Sequence, residues 1–177
     1  MTRVAVLPHE QTRNTAPEFV DRRGMLSVFG LLANAPAVFV GWTTMVDEVL
    51  DSTTFSARLR ELIILRVAYL QNSLYELSQH LDVGKTIGIP ACQRDAVTSD
   101  ANLAIAGFDD VEMAVLEFVT ELCRTHRVRD QTFDTARTAL GEEALTELLV
   151  LVSLYYGLAL VLNAAELAPD DAARLRT

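Results

Sequence analysis

Cysteine is scarce. The chain has two among 177 residues, Cys92 and Cys123, far apart and without Cys or His neighbours at ligand spacing. This excludes a disulfide framework and a zinc site, so no metal is expected. Two reduced thiols, core or partly buried, suit a cytoplasmic protein. Positive charge is also scarce: 15 Lys and Arg stand against 24 Asp and Glu, for a net charge of −9. The densest basic stretch, residues 124–129, breaks at Asp130. Nucleic acid is therefore excluded as a partner, because phosphate contacts need basic clusters. The longest apolar run, residues 148–162, has 15 residues, short of the roughly 18–20 that span a bilayer. The first residues lack a signal peptide's apolar core, so no membrane association is expected. No Gly-rich phosphate loop, low-complexity tract or strand pair is present.

What is there is helical periodicity. Half of the residues (50%) are hydrophobic and only 7% aromatic, a balance that suits a helical globular protein. The length suits one domain, with its core over about residues 20–167. Residues 1–16 read as polar and extended, broken by Pro8 and Pro17. Short helices are predicted over 17–23 and 26–33. Pro36 opens a longer helix to about residue 50, with Val38, Phe39, Trp42, Met45, Val46 and Val49 as its buried stripe. Ser56 caps a helix to about residue 70. The next runs from 73 to 87 and stops at Gly88, and Pro90 opens a short one to 97. Residues 98–108 form a loop. Asp109 or Asp110 starts a helix to 125, carrying Val111, Val115, Leu116, Val119 and Leu122 inward. After a connection at 126–129, Asp130 caps a helix ending at Gly141. A last long helix runs from 142 to about 167. It is apolar nearly all round, which suits burial by neighbouring helices or another subunit.

Chemistry concentrates in residues 56–88. Glu61 sits on one helix; Ser73, Glu76 and His80 sit at the start of the next. Glu76 and His80 are four apart and share a face, a spacing that reads as an acid–base pair. An imidazole titrates near neutrality and can give and take protons. Each residue also has a structural reading. Glu61 could be a solvent-facing residue favouring the helix dipole. Ser73 and Glu76 match a capping box, although a helix N-terminus also stabilises an oxyanion. Tyr75, Tyr155 and Tyr156 are core or pocket lining. Arg66 could bind a substrate carboxylate or form a salt bridge between subunits. His9 and His126 fall in predicted loops.

The same stretch resembles the signature of the carboxymuconolactone decarboxylase and alkylhydroperoxidase D-like superfamily. That signature has a Glu in an Arg-Glu-Leu helix, here Glu61, then a short polar motif, then His, here His80. The peroxidase branch carries Cys-x-x-Cys at positions matching Ser73 and Glu76, and neither is Cys here. Tyr75-Glu76 resembles a cysteine-free subgroup with Tyr-Glu-Trp, with Leu77 in place of Trp. The Tyr155-Tyr156-Gly157 segment is similar to one in the same subgroup. The resemblance implies an all-α alkylhydroperoxidase D-like helical bundle that assembles as a dimer, trimer or hexamer. It implies a cofactor-independent lyase or isomerase acting on a small organic acid or lactone. His80, Glu76 and Glu61 would be catalytic. Ser73, Tyr75, Tyr155, Tyr156 and Arg66 would bind substrate. A thiol peroxidase and a non-catalytic ligand-binding oligomer are the alternatives.

Overall fold

The structure, a computed structural model, describes residues 2–170. Among them the ordered elements are helical: α1 (His9–Thr15), α2 (Pro17–Arg23), α3 (Ser27–Leu32), α4 (Pro36–Asp51), α5 (Ala57–Leu70), α6 (Leu74–Thr86), α7 (Ala91–Val97), a 3-10 turn (Leu103–Ile105), α8 (Asp110–Thr125) and α9 (Asp130–Ala165). They group into two compact units.

The first unit comprises residues 2–52 with residues 162–170. Its core is a cluster of rings: Phe19 lies edge-on to Phe29 at 4.9 Å, and Phe39 stacks on Trp42 at 6.3 Å. Residues 9–15 form a helix, where an extended segment was predicted. Only Thr12 of α1 is buried, its hydroxyl bonded to the Pro8 carbonyl at 3.1 Å. No apolar periodicity announces that helix; the prolines at either end delimit it. The α4 stripe is narrower than predicted. Phe39, Val46 and Val49 are buried, but Val38 is 71% exposed and Met45 39%. The chain ahead of α1 is strapped to α3, with the Leu7 N–H donating to the Gly30 carbonyl at 3.0 Å.

The second unit comprises Thr53–Val161. Its axis is α5, capped by the Ser56 hydroxyl, which accepts from the Leu59 N–H at 3.1 Å. Every residue from Leu59 to Ala68 is buried. Such burial on all sides needs neighbours all round, and α6, α7 and α8 supply them. Leu62, Leu65, Ile89, Val97 and Leu116 form its apolar centre. Asp109 and Glu112 form a reciprocal capping box at the start of α8. Val111, predicted inward, is 38% exposed.

A tight turn joins α5 to α6. Asn72 takes a left-handed conformation (φ 52°). The Ser73 N–H donates to the Ala68 carbonyl and the Asn72 N–H to the Tyr69 carbonyl, at 2.9 and 3.0 Å. This is a Schellman closure, which Asn tolerates better than other side chains. It folds α6 back along α5.

The predicted stop at Gly141 shows as a break inside α9 (φ 78°, ψ 173°), a conformation that favours glycine. By length and composition α9 could cross a membrane, contrary to the expectation from the 15-residue run; 44% of that stretch is buried within the protein. Leu148, Leu151 and Val152 face inward, while Leu149, Val150, Leu160 and Val161 are exposed.

A Cβ on Gly30 would lie 2.5 Å from the Leu7 carbonyl oxygen and 2.8 Å from a Val6 methyl. Gly30→Ala must therefore displace the strap. Chemical denaturation should show a loss of about 1–3 kcal/mol, and limited proteolysis should cut ahead of α1. An unchanged midpoint with an intact N-terminus would refute this account.

Candidate active site

The turn at Asn72 brings the facing sides of α5 and α6 together, and with them residues 19 apart in sequence. His80 Nδ1 lies 2.7 Å from Glu61 Oε1. Glu61 is 5% exposed, so its expected alternative as a solvent-facing residue is not what the fold shows. The imidazole is largely covered, with 17% of its side chain exposed. The Tyr155 ring of α9 lies edge-to-face against it at 5.2 Å between centroids. With Nδ1 turned to a carboxylate, that nitrogen carries a proton and donates it to the bond, and Nε2 is the nitrogen turned away from Glu61. The imidazole is thus fixed by two helices besides its own.

The pairing expected on α6 itself is corrected. Glu76 and His80 share a face, but Glu61 is the residue bonded to the imidazole. Helix side chains lean toward the N-terminus, so Glu76 extends toward Ser73 and leaves the ring to α5. The expected capping box is also absent: Ser73 is the N-cap of α6 without a side-chain cap bond. Ser73 Oγ and both carboxyl oxygens of Glu76 are buried without a hydrogen-bond partner of normal geometry. Burial pushes the Glu76 carboxyl up to about 7, and the nearby Ser73 hydroxyl and His80 imidazole oppose this only in part. Near neutrality, Glu76 is thus a carboxyl group that still holds its proton for much of the time.

The remaining expected residues divide. Tyr155 joins the cluster. Tyr156 faces away from it, its ring edge-to-face with His126 at 6.0 Å. Tyr75 is buried, 4% exposed, and next to Glu76 in sequence it takes a different side of α6. Arg66 is corrected from substrate binder to structural tie. Its guanidinium donates to the Thr120 hydroxyl at 2.9 Å and to the Val97 and Ser99 carbonyls at 3.2 and 2.8 Å. Burial lowers its pKa. Among the thiols, Cys92 is exposed rather than core. Cys123 is buried, and that burial pushes it up to about 11. His9 opens α1 rather than lying in a loop.

Among the described residues no group of three or more His, Cys, Asp or Glu could hold a metal. Three surface hollows, of about 630, 430 and 780 Å³, do not include Glu61, Glu76 or His80 in their linings. The chemical reading of the site therefore rests on its side-chain arrangement. The bond between Glu61 and His80 and the neutral state of Glu76 were not legible in sequence. The signal for the second was present: a glutamate flanked by Tyr75 and Leu77 with no Lys or Arg one turn away.

No protein-family model and no curated protein matches the sequence. Solved structures do. The debrominase Bmp8 superposes with a TM-score of 0.81 at 16% identity, over 99% of this chain and 97% of its own. The alkylhydroperoxidase AhpD core of an uncharacterized peroxidase-related protein from Ralstonia eutropha JMP134 gives 0.78 at 21%, over 96% and 93%. An uncharacterized peroxidase-related protein from Silicibacter sp. TM1040 gives 0.79 at 18%, over 96% and 92%. The fold is the all-α alkylhydroperoxidase D-like fold, as the sequence resemblance implied.

The neutral carboxyl has a consequence for stability. Its folded pKa, about 7, lies above the ordinary 4.5. Between those values the folded chain keeps a proton that the unfolded chain has lost. The group's contribution is therefore full below pH 4.5 and is lost as pH rises to 7. The loss is on the order of 3 kcal/mol. Glu76→Gln should remove this dependence, so that urea unfolding shows a smaller stability drop from pH 5 to pH 8 than the native chain. Equal drops in the two proteins would contradict the assignment.

Proposed function

We propose that this chain, which has the alkylhydroperoxidase D-like fold, is a cofactor-independent lyase or isomerase that moves protons on a small organic acid or lactone. The observation that carries this reading is the imidazole of His80, held at 2.7 Å by buried Glu61 beside a buried Glu76 carboxyl that makes no hydrogen bond of normal geometry. Structure alone does not need such an arrangement, because leaving those oxygens unbonded costs stability.

The roles follow from the geometry. Glu61 orients the ring through Nδ1. His80 gives or takes a proton at Nε2. Glu76 supplies a second, neutral proton donor. Loss of carbon dioxide from a carboxylated unsaturated lactone would use the lactone carbonyl as the electron sink and His80 to protonate the resulting dienolate. Isomerisation would use the same groups. Neither needs a metal or an organic cofactor.

Thiol peroxide chemistry is disfavoured on chemical grounds. It needs a thiolate of low pKa and a resolving partner. Ser73 and Glu76 occupy the motif positions, and Cys123 is pushed the wrong way. We also propose a homo-oligomer. The exposed Leu149, Val150, Leu160 and Val161 of α9 support it, since a second subunit could cover them.

His80→Gln should abolish turnover of unsaturated lactone acids, and Glu61→Gln should lower it about 100-fold. Circular dichroism and melting temperature should report a folded chain in both. Undiminished turnover in a folded His80→Gln protein would sink the reading. So would a screen of lactones and organic acids that finds only binding.

A further inference from the structure

Three buried polar atoms meet at the start of α6: Ser73 Oγ, Glu76 Oε1 and Glu76 Oε2 interact with one another but make no hydrogen bond of normal geometry. The two residues are 0% and 2% exposed. α6 is 13 residues long, and Ser73 leaves its N-terminus without a side-chain cap. Uncapped first-turn N–H groups favour negative charge. Buried polar atoms almost always find partners, so this group is one half of a hydrogen-bonded arrangement. The missing half accepts hydrogen bonds and carries negative charge.

We infer that Ser73 and Glu76 form an oxyanion subsite for an enolate, and that the reaction they serve is removal of a proton alpha to a substrate carbonyl by His80. This rests on the acid–base reading above and selects among the reactions it allows. Decarboxylation needs an electron sink and a final proton donor, but no base. Here the imidazole has its Nδ1 tied to Glu61 and its Nε2 left as a base. Donors at the start of α6 would also stabilise a substrate carboxylate as a bound anion, which opposes its loss. Enolisation uses every group present. Glu76 and His80 are one turn apart on one face, about 6 Å along the axis. One small substrate can therefore touch both side chains.

In the step, the C–H bond breaks and its proton goes to Nε2. The C–H electron pair becomes the new C=C bond, and the carbonyl π pair moves to oxygen. The Glu76 carboxyl and the Ser73 hydroxyl donate to that oxygen. Return of the proton to the same carbon gives exchange; return to the vinylogous carbon gives isomerisation. No electrons leave the pair of molecules, so no oxidant or reductant is needed. A neutral carboxyl in an apolar setting can do this where a carboxylate could not, and burial keeps Glu76 protonated up to about 7.

The test has two readouts. The first uses 4-nitrophenol, an enolate mimic whose phenolate is visible by absorbance and which titrates near neutrality. At pH 6 the native protein should raise the phenolate fraction at least ~10-fold over solution, as a bound oxyanion deserves at such a site. Ser73→Ala and Glu76→Ala should lose the rise. Glu76→Gln, which keeps an N–H donor, should retain part of it. The second follows α-angelica lactone in D2O by proton NMR, for deuterium uptake and conversion to the conjugated isomer. Ser73→Ala should slow this about 100-fold. Lactone turnover that dies in His80→Gln while 4-nitrophenol keeps its solution spectrum would overturn the enolate subsite and leave the acid–base reading standing. Absence of both the spectral change and any His80-dependent turnover would overturn both.

Discussion

Burial of α5 on every side is the constraint from which the site follows. A helix with Leu59 to Ala68 wholly covered cannot shift or rotate without opening the centre of its unit. Glu61 is part of that covered stretch, so its carboxylate is delivered to one place at no freedom of its own. The Schellman turn at Asn72 then brings α6 back at a set register, and the imidazole meets the carboxylate. Buried charge normally demands a partner, and here the partner is the group whose chemistry matters. The hydrogen bond that satisfies Glu61 also positions His80.

Two glutamates on neighbouring helices come out of this with different characters. Glu61 meets an imidazole at hydrogen-bond distance. Glu76 is as deeply buried but has only the Ser73 hydroxyl and the His80 imidazole near it, and burial outweighs both, so that its proton stays on to about 7. Environment alone makes one an acceptor and the other a donor. The same contrast runs through the arginines. Arg66, in the interior, spends its N–H groups on Thr120 and two carbonyls. Arg58 reaches Glu112 at 2.7 Å and Gln93 at 2.7 Å, tying the start of α5 to α7 and α8.

Much of the fold was legible because helix ends are written locally. Pro17, Pro36, Ser56, Gly88, Pro90, Asp109 and Gly141 each mark a boundary by a backbone rule that needs no tertiary contact. What escaped the sequence was tertiary. α1 has one buried residue, so periodicity could not reveal it. On α4, Val38 and Met45 continue the apolar pattern yet lie outside, because a helix that is apolar over most of its circumference does not say which part faces in. In the site, the i, i+4 rule put Glu76 and His80 on one face correctly and then assigned the bond to the wrong glutamate. The right one lies 19 residues back on another helix, and only the fold brings it near. Arg66 offered a charged group near the motif, and nothing local told that its partners would be carbonyls.

Ser73 and Glu76 have a property that sets them apart from their neighbours. Their side chains contribute no hydrogen bond of normal geometry to the scaffold, although both lie fully inside it. Arg66 and Asn72 could not be exchanged without disturbing the fold, whereas positions 73 and 76 can change while the helices stay as they are. Substitution at these two positions changes the polarity beside the imidazole and leaves the scaffold of helix, turn and helix in place.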